Sequence, residues 1–168
     1  NRRAEGIALC NLANLFSQAG QTKEAMTSLQ ESLVIFRETG DRQDETLVLG
    51  NLGDLFLQMN ELASAREHLE TAISASRELG LKRAEGAFLG AAGEVYHLLG
   101  DVQQARSRLT SGEAILREVE DKIELGLLLC RRGHLEIDQG QLEDAKKHSQ
   151  EAQQLAQLVS AGTESALG

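Results

Sequence analysis

Apolar residues recur along this chain at helical spacing, and the whole pattern returns every forty residues. Leu9, Leu12, Ala13 and Phe16 follow the i, i+3, i+4, i+7 rhythm that puts side chains on one face of a helix. Ala25, Leu29, Leu33 and Phe36 repeat that rhythm half a period later. One period on, Leu49, Leu52, Gly53 and Phe56 take the places of the first set. Leu89, Ala92, Gly93 and Tyr96 follow, then Leu129, Arg132, Gly133 and Glu136. The second set continues as Ala65 and Leu69, Ala105 and Leu109, Ala145 and Ser149. Gly20, Gly100 and Gly140 fall where a first helix should stop, and Gly40 and Gly80 where a second should stop. The spacing predicts first helices near 4–18, 44–58, 84–98 and 124–138, and second helices near 22–38, 62–79, 102–118 and 142–158. Four helix–turn–helix units result, at about 4–43, 44–83, 84–123 and 124–163, with no insertion between them.

Small residues recur where bulk would be cheaper. Ala13, Gly53, Gly93 and Gly133 share one mid-helix place. Glycine there costs about 1 kcal/mol of helix propensity relative to alanine, which is tolerable where two helix backbones approach closely. Ala25, Ala65, Ala105 and Ala145 are the expected flat spot opposite, with Phe16, Phe56 and Tyr96 as knobs beside it. One hairpin cannot bury its own apolar faces, so neighbouring hairpins are expected to stack.

This combination resembles the tetratricopeptide repeat family, whose first helix carries a large residue, Leu, Gly and Tyr, and whose second carries Ala and Phe. The resemblance covers essentially the whole chain, with departures. Leu stands for the usual first Trp, and the usual closing Pro is Arg37, Arg77, Arg117 or Gln157. The period is forty residues rather than the family's thirty-four. Without that proline the second helix can run longer. Long-period arrays of this kind are similar to those of kinesin light chain, of Pins-type spindle-orientation adaptors, and of bacterial regulators joined to kinases, cyclases or transcription factors. The resemblance implies an all-α fold, a right-handed superhelical α-α solenoid of four hairpins.

It also implies a binding site. In such arrays the first-helix stripe opposite the core lines a concave groove that holds an extended peptide. Here that stripe reads Ile7, Asn11, Asn14 and Gln18, then Leu47, Asn51, Asp54 and Gln58. It continues as Ala87, Ala91, Glu94 and Leu98, then Leu127, Arg131, His134 and Asp138, with Ser17, Leu57, His97 and Ile137 flanking. An asparagine side chain offers a carbonyl and an amide, which suits bidentate bonding to a peptide backbone. Asn11 and Asn51 are the leading candidates. Asn14, Gln18, Asp54, Gln58, Glu94, His97, Arg131 and His134 complete the expected groove. Chaperone-binding members clamp a C-terminal carboxylate with cations. The corresponding places here hold Cys10, Asn14, Asn51, Ala87 and Ala91, so every cation is missing. A neutral or mildly basic peptide or protein is the expected partner.

Composition narrows the picture further. Of 168 residues 41% are hydrophobic, enough for a continuous core, and there is no proline. A net charge of −9 argues against a nucleic-acid partner. No apolar run approaches membrane-span length and no signal peptide is visible, so a soluble, cytoplasmic protein is expected. The chain does not begin with Met, as expected of a segment of something longer.

Cys130, His134 and Asp138 stand at i, i+4, i+8, with Glu94 and His97 expected opposite. Zinc could in principle be held there. His and Asp are ordinary groove residues, however, and Cys130 has a repeat counterpart in Cys10, so no metal and no cofactor is expected. Cys10 and Cys130 lie three repeats apart, too far for a disulfide. His68 and His148 read as surface residues. No nucleotide-binding or catalytic motif is present, and the chain is expected to be a non-enzymatic, signalling-type interaction module. Two other readings stay open: self-association through the terminal repeats as a homo-oligomer, and a peptide-signal receptor domain of a bacterial regulator. Arg132, Glu136 and Ser149 make the fourth repeat polar, as expected of a terminal repeat that faces water. The tail TESALG (163–168) resembles AEGAFLG (84–90), as a fifth repeat beginning there or else a frayed end.

Overall fold

The computed structural model describes residues 1–165, all but the first and the inter-helix turns of which are α-helical. The helices are α1 (Arg2–Gln18), α2 (Thr22–Thr39), α3 (Arg42–Gln58), α4 (Leu62–Glu78), α5 (Lys82–Leu98), α6 (Val102–Glu118), α7 (Lys122–Asp138) and α8 (Leu142–Ser165). They pair in chain order as four hairpins, in two compact units, Asn1–Gly80 and Leu81–Gly168. In the first unit α1 packs on α2 and α3 on α4, and α2 and α1 both touch α3. In the second, α5 packs on α6 and α7 on α8, and α7 also lies against α6 and α5.

The ends of the helices follow a twenty-residue beat. Gly20, Gly40, Gly80, Gly100 and Gly140 all take left-handed φ, and Asn60 and Glu120 fill the same role with φ of 58° and 56°. The residue after each left-handed one donates back into the finished helix in most turns, as Gln21 N does to Phe16 O at 2.8 Å and Asp121 N to Leu116 O at 3.1 Å. Asp41, Asp101 and Asp121 then accept amides of the next first turn. The next beat falls on Ser160, which stays helical, so α8 runs to Ser165 instead of stopping near 158. Of the tail 163–168, where a fifth repeat or a frayed end was expected, residues 163–165 are the last of α8 and 166–168 lie outside the described residues.

The small residues sit where backbones meet. Gly53 and Gly93 are buried, and a Cβ on either would stand 2.6 Å from Cγ of Leu69 or Leu109. Ala25, Ala65 and Ala105 are fully buried. Leu12 departs from expectation: its equivalent Leu52 is 2% exposed, yet Leu12 is 40% exposed. Periodicity marks which face is apolar, and α1 has no helix of its own unit packed on that side.

The knob position is filled differently in the last three hairpins, each time with an answer twelve residues on. Phe56 lies with its ring centroid 4.9 Å from that of His68. The Arg108 guanidinium sits 5.8 Å over the Tyr96 ring, a cation–π geometry. In the fourth hairpin Glu136 Oε2 is 2.8 Å from His148 Nδ1. This corrects two expectations. Glu136 is 3% exposed and His148 is half-buried, so neither is a surface residue facing water. They belong to an ion network at the junction of α6, α7 and α8. Arg132 donates to Glu136 at 3.2 Å and also to Glu113. Arg117 in turn bonds Glu113 at 2.8 Å and Glu151 at 2.7 and 3.1 Å.

The Arg117 bonds hold the Glu151 carboxyl below its ordinary range. A lowered folded-state value means a contribution present above the unfolded value and lost as pH falls through the folded one. Glu151→Gln is therefore expected to lower stability slightly at neutral pH, by under about 1 kcal/mol for so exposed a pair. Parent and variant should converge in acid, as read from urea midpoints across a pH series.

Candidate functional site

Four of the six expected groove residues of the first unit, Asn14, Asn51, Asp54 and Gln58, line one cleft. Asn14 and Ser17 on α1 and Asn51, Asp54 and Gln58 on α3 line a cleft of about 130 Å³, with Ala13, Ala25, Leu29 and Leu55 as its apolar floor. The forty-residue repeat explains the convergence. Identical slots on two successive first helices lie side by side, so Asn14 and Asp54 are neighbours by register. Ser17 Oγ donates to Gln58 Oε1 at 3.2 Å across the two helices. Asn11 and Gln18 are exposed, and neither lines the cleft. Ser17 was only a flanking residue by sequence, and its bond to Gln58 places it inside.

In the second unit the corresponding residues satisfy one another. Arg131 Nε donates to Glu94 Oε2 at 2.7 Å, and His97 Nε2 lies 2.8 Å from Asp138 Oδ2. Both pairs join α5 to α7, and they engage the acids that were expected to favour a basic ligand there. Ala91, in the asparagine slot of α5, is 1% exposed and offers no groove surface. The reason is local: α7 lies against this part of α5, and the Arg131 guanidinium reaches to about the position of a Gly90 side chain, 3.3 Å from where its Cβ would be. His134 is exposed.

The Cys130, His134 and Asp138 set does not assemble. Asp138 turns to His97, and Cys130 lines an apolar groove between α7 and α8. Among the described residues no three His, Cys, Asp or Glu side chains converge on a metal position. Both cysteines are free thiols. Cys10 Sγ is 3.2 Å from Ser32 Oγ, and burial pushes its thiol up. Among the described residues no helix is long and apolar enough to cross a membrane.

That α7–α8 groove, about 590 Å³, is the feature sequence reasoning missed. Its signal was present: Ser149 stands where Leu29, Leu69 and Leu109 fill the earlier hairpins, and Ala156 where Phe36 and Leu116 fill the first and third.

Comparison with known proteins agrees with this architecture. A family model for the tetratricopeptide repeat matches residues 4–78. No curated protein sequence matches the chain. Among solved structures, a Rap protein complexed with competence and sporulation factor superposes with a TM-score of 0.84 at 16% identity, over 93% of this chain and 44% of that one. Aspartyl phosphate phosphatase F from Bacillus subtilis gives 0.82 at 14% identity, over 95% and 42%. A putative kinesin light chain from Podosopora anserina, with nearly identical repeats, gives 0.67 at 16% identity, over 93% and 76%. The chain thus spans less than half the length of the two bacterial structures. At these identities the likeness is one of fold, that of helical-hairpin repeats. The direct match lies over α1–α4, and the same forty-residue pattern continues through α8, so the whole chain is similar in fold and repeat pattern to tetratricopeptide repeat arrays.

Proposed function

We propose that the chain is a non-catalytic protein-interaction module, part of a larger cytoplasmic signalling or scaffold protein, whose first unit holds an extended peptide segment. The observation that carries this reading is the polar cleft between α1 and α3. Asn14, Asn51, Asp54 and Gln58 converge over an apolar floor in a volume of about 130 Å³. That space suits a peptide group and a small side chain rather than a folded ligand. Asparagine and glutamine amides both donate and accept, so they can bond a backbone without reading its side chains. Asp54 is the one acidic residue of the lining, which includes no Lys or Arg. The favoured segment is neutral to mildly basic, and a C-terminal carboxylate is disfavoured. Because Glu94 and Asp138 are already paired, this preference belongs to the first unit alone.

The test is selection from a displayed random-peptide library, followed by fluorescence anisotropy on the recovered peptides. Each lost hydrogen bond should cost about 0.5–1.5 kcal/mol. The Asn14→Ala, Asn51→Ala double variant is therefore expected to bind on the order of tenfold to a hundredfold more weakly, with unchanged helicity by circular dichroism. Asn11→Ala alone then shows whether the exposed asparagine joins the contact. Undiminished binding by the double variant would remove the cleft from the account.

A further inference from the structure

Two sequence periods carry the cleft of the first unit onto the same slots of the second, and its floor survives the move. Ala13, Ala25, Leu29 and Leu55 become Gly93, Ala105, Leu109 and Leu135. All four of these are buried. Helix α7 lies against α5, as α3 touches α1.

The walls change in character. Asn14 and Asn51 become Glu94 and Arg131, while Ser17 and Gln58 become His97 and Asp138. The slots that bond across the helices in the first unit bond again in the second. Ser17 Oγ donates to Gln58 Oε1 at 3.2 Å, and His97 Nε2 lies 2.8 Å from Asp138 Oδ2. Where the first unit has two asparagines, Arg131 Nε donates to Glu94 Oε2 at 2.7 Å. Arginine reaches further than asparagine from the same slot. Its guanidinium therefore lies across the seam of α5 and α7, 3.3 Å from where a Gly90 Cβ would be.

Both bonds end on a carboxylate, which makes them stronger than the neutral Ser17–Gln58 bond. They are also partly sheltered. The side chains of His97 and Arg131 are 15% and 22% exposed. A neutral segment entering here would have to part both carboxylates from their donors and has no charge of its own to return to them.

We propose that the Glu94–Arg131 and His97–Asp138 pairs close a second copy of the cleft. The second unit is then occupied by its own side chains, and the chain takes one neutral segment, in its first unit. This rests on the peptide reading of the first cleft, and the test separates the two.

The probe is N-methylacetamide, a single peptide group, titrated into the 15N-labelled chain while backbone amide shifts are followed by NMR. The parent should show saturable shifts around Asn14 and Asn51 on α1 and α3, and none on α5 and α7. A variant with Glu94→Asn, His97→Ser, Arg131→Asn and Asp138→Gln carries four of the first unit's wall side chains in the second. It should gain a second saturable set on α5 and α7, with the circular dichroism of the parent. The lesser variant, Glu94→Asn with Arg131→Asn, keeps His97 and Asp138 joining the two helices and should gain the same set more weakly. Shifts on α1 and α3 with no gain on α5 and α7 in either variant overturn the closure, as do shifts on α5 and α7 in the parent. A gain on α5 and α7 in the variants without any parental shift on α1 and α3 overturns the reading of the first cleft alone. Silence in all three chains overturns both.

Discussion

Gly93→Val is expected to destabilise the protein by about 3 kcal/mol, the upper end for forcing extra atoms into a packed core. A Cβ at Gly93 would stand 2.6 Å from Leu109 Cγ, 2.8 Å from its Cδ2 and 3.4 Å from Ala105 O. Leu109 is 1% exposed and has nowhere to turn. Gly53→Val should behave alike, since Leu69 stands equally close and its backbone N is 3.2 Å away. Alanine is the milder change, because Ala13 already occupies this slot in α1 at 1% exposure. The fourth hairpin supplies an internal control. At Gly133 the nearest atoms are Ser149 Oγ at 3.5 Å and Ala145 O at 3.7 Å, ordinary contact distances. Gly133→Ala therefore gains helix propensity, up to about 1 kcal/mol, with no clash to set against it. Urea denaturation followed by circular dichroism reads both. A Gly93→Val chain as stable as its parent, or a Gly133→Ala chain less stable than its parent, would sink the account of why these slots stay small.

The elements were legible because two independent signals coincided. Helical periodicity named the faces, and left-handed turns every twenty residues named the ends. Where one signal was absent the reading slipped. Ser160 carries no backbone preference for a left-handed turn, and α8 runs on through it. Leu12 was assigned to the core because periodicity reports an apolar face without reporting whether anything covers it. The cleft of the first unit was half legible. Equal slots on successive helices put Asn14, Asn51, Asp54 and Gln58 near each other, whereas the Ser17–Gln58 bond depends on rotamers that no spacing encodes. The second unit misled for a physical reason. Charges on a groove stripe were counted as free, yet Glu94 and Asp138 each found a partner on the adjacent helix. Partners that lie one period apart in sequence are invisible to any reading that counts charges one helix at a time.

The fourth hairpin shows the same effect at higher energy. Glu136→Ala is expected to cost about 3 kcal/mol, the lower end of the range for breaking a buried ion pair from one side. Glu136 is 3% exposed and accepts from Arg132 at 3.2 Å and from His148 at 2.8 Å. Deletion leaves both without that acceptor in a site water cannot easily enter. The lower end applies because Arg132 keeps its bond to Glu113. The chain also indicates the rescue. Its second hairpin holds Phe56 against His68 in these same slots, with ring centroids 4.9 Å apart. Glu136→Phe should accordingly lose much less than Glu136→Ala, since a ring can cover His148 as Phe56 covers His68. The loss on alanine substitution should also shrink in an Arg132→Met background, where the strandable charge is gone, giving a coupling of about 1 kcal/mol or more in a double-mutant cycle. If Glu136→Ala and Glu136→Phe destabilise equally, or the cycle shows no coupling, then Glu136 is a tolerated polar residue and the polar character of this hairpin has a different origin.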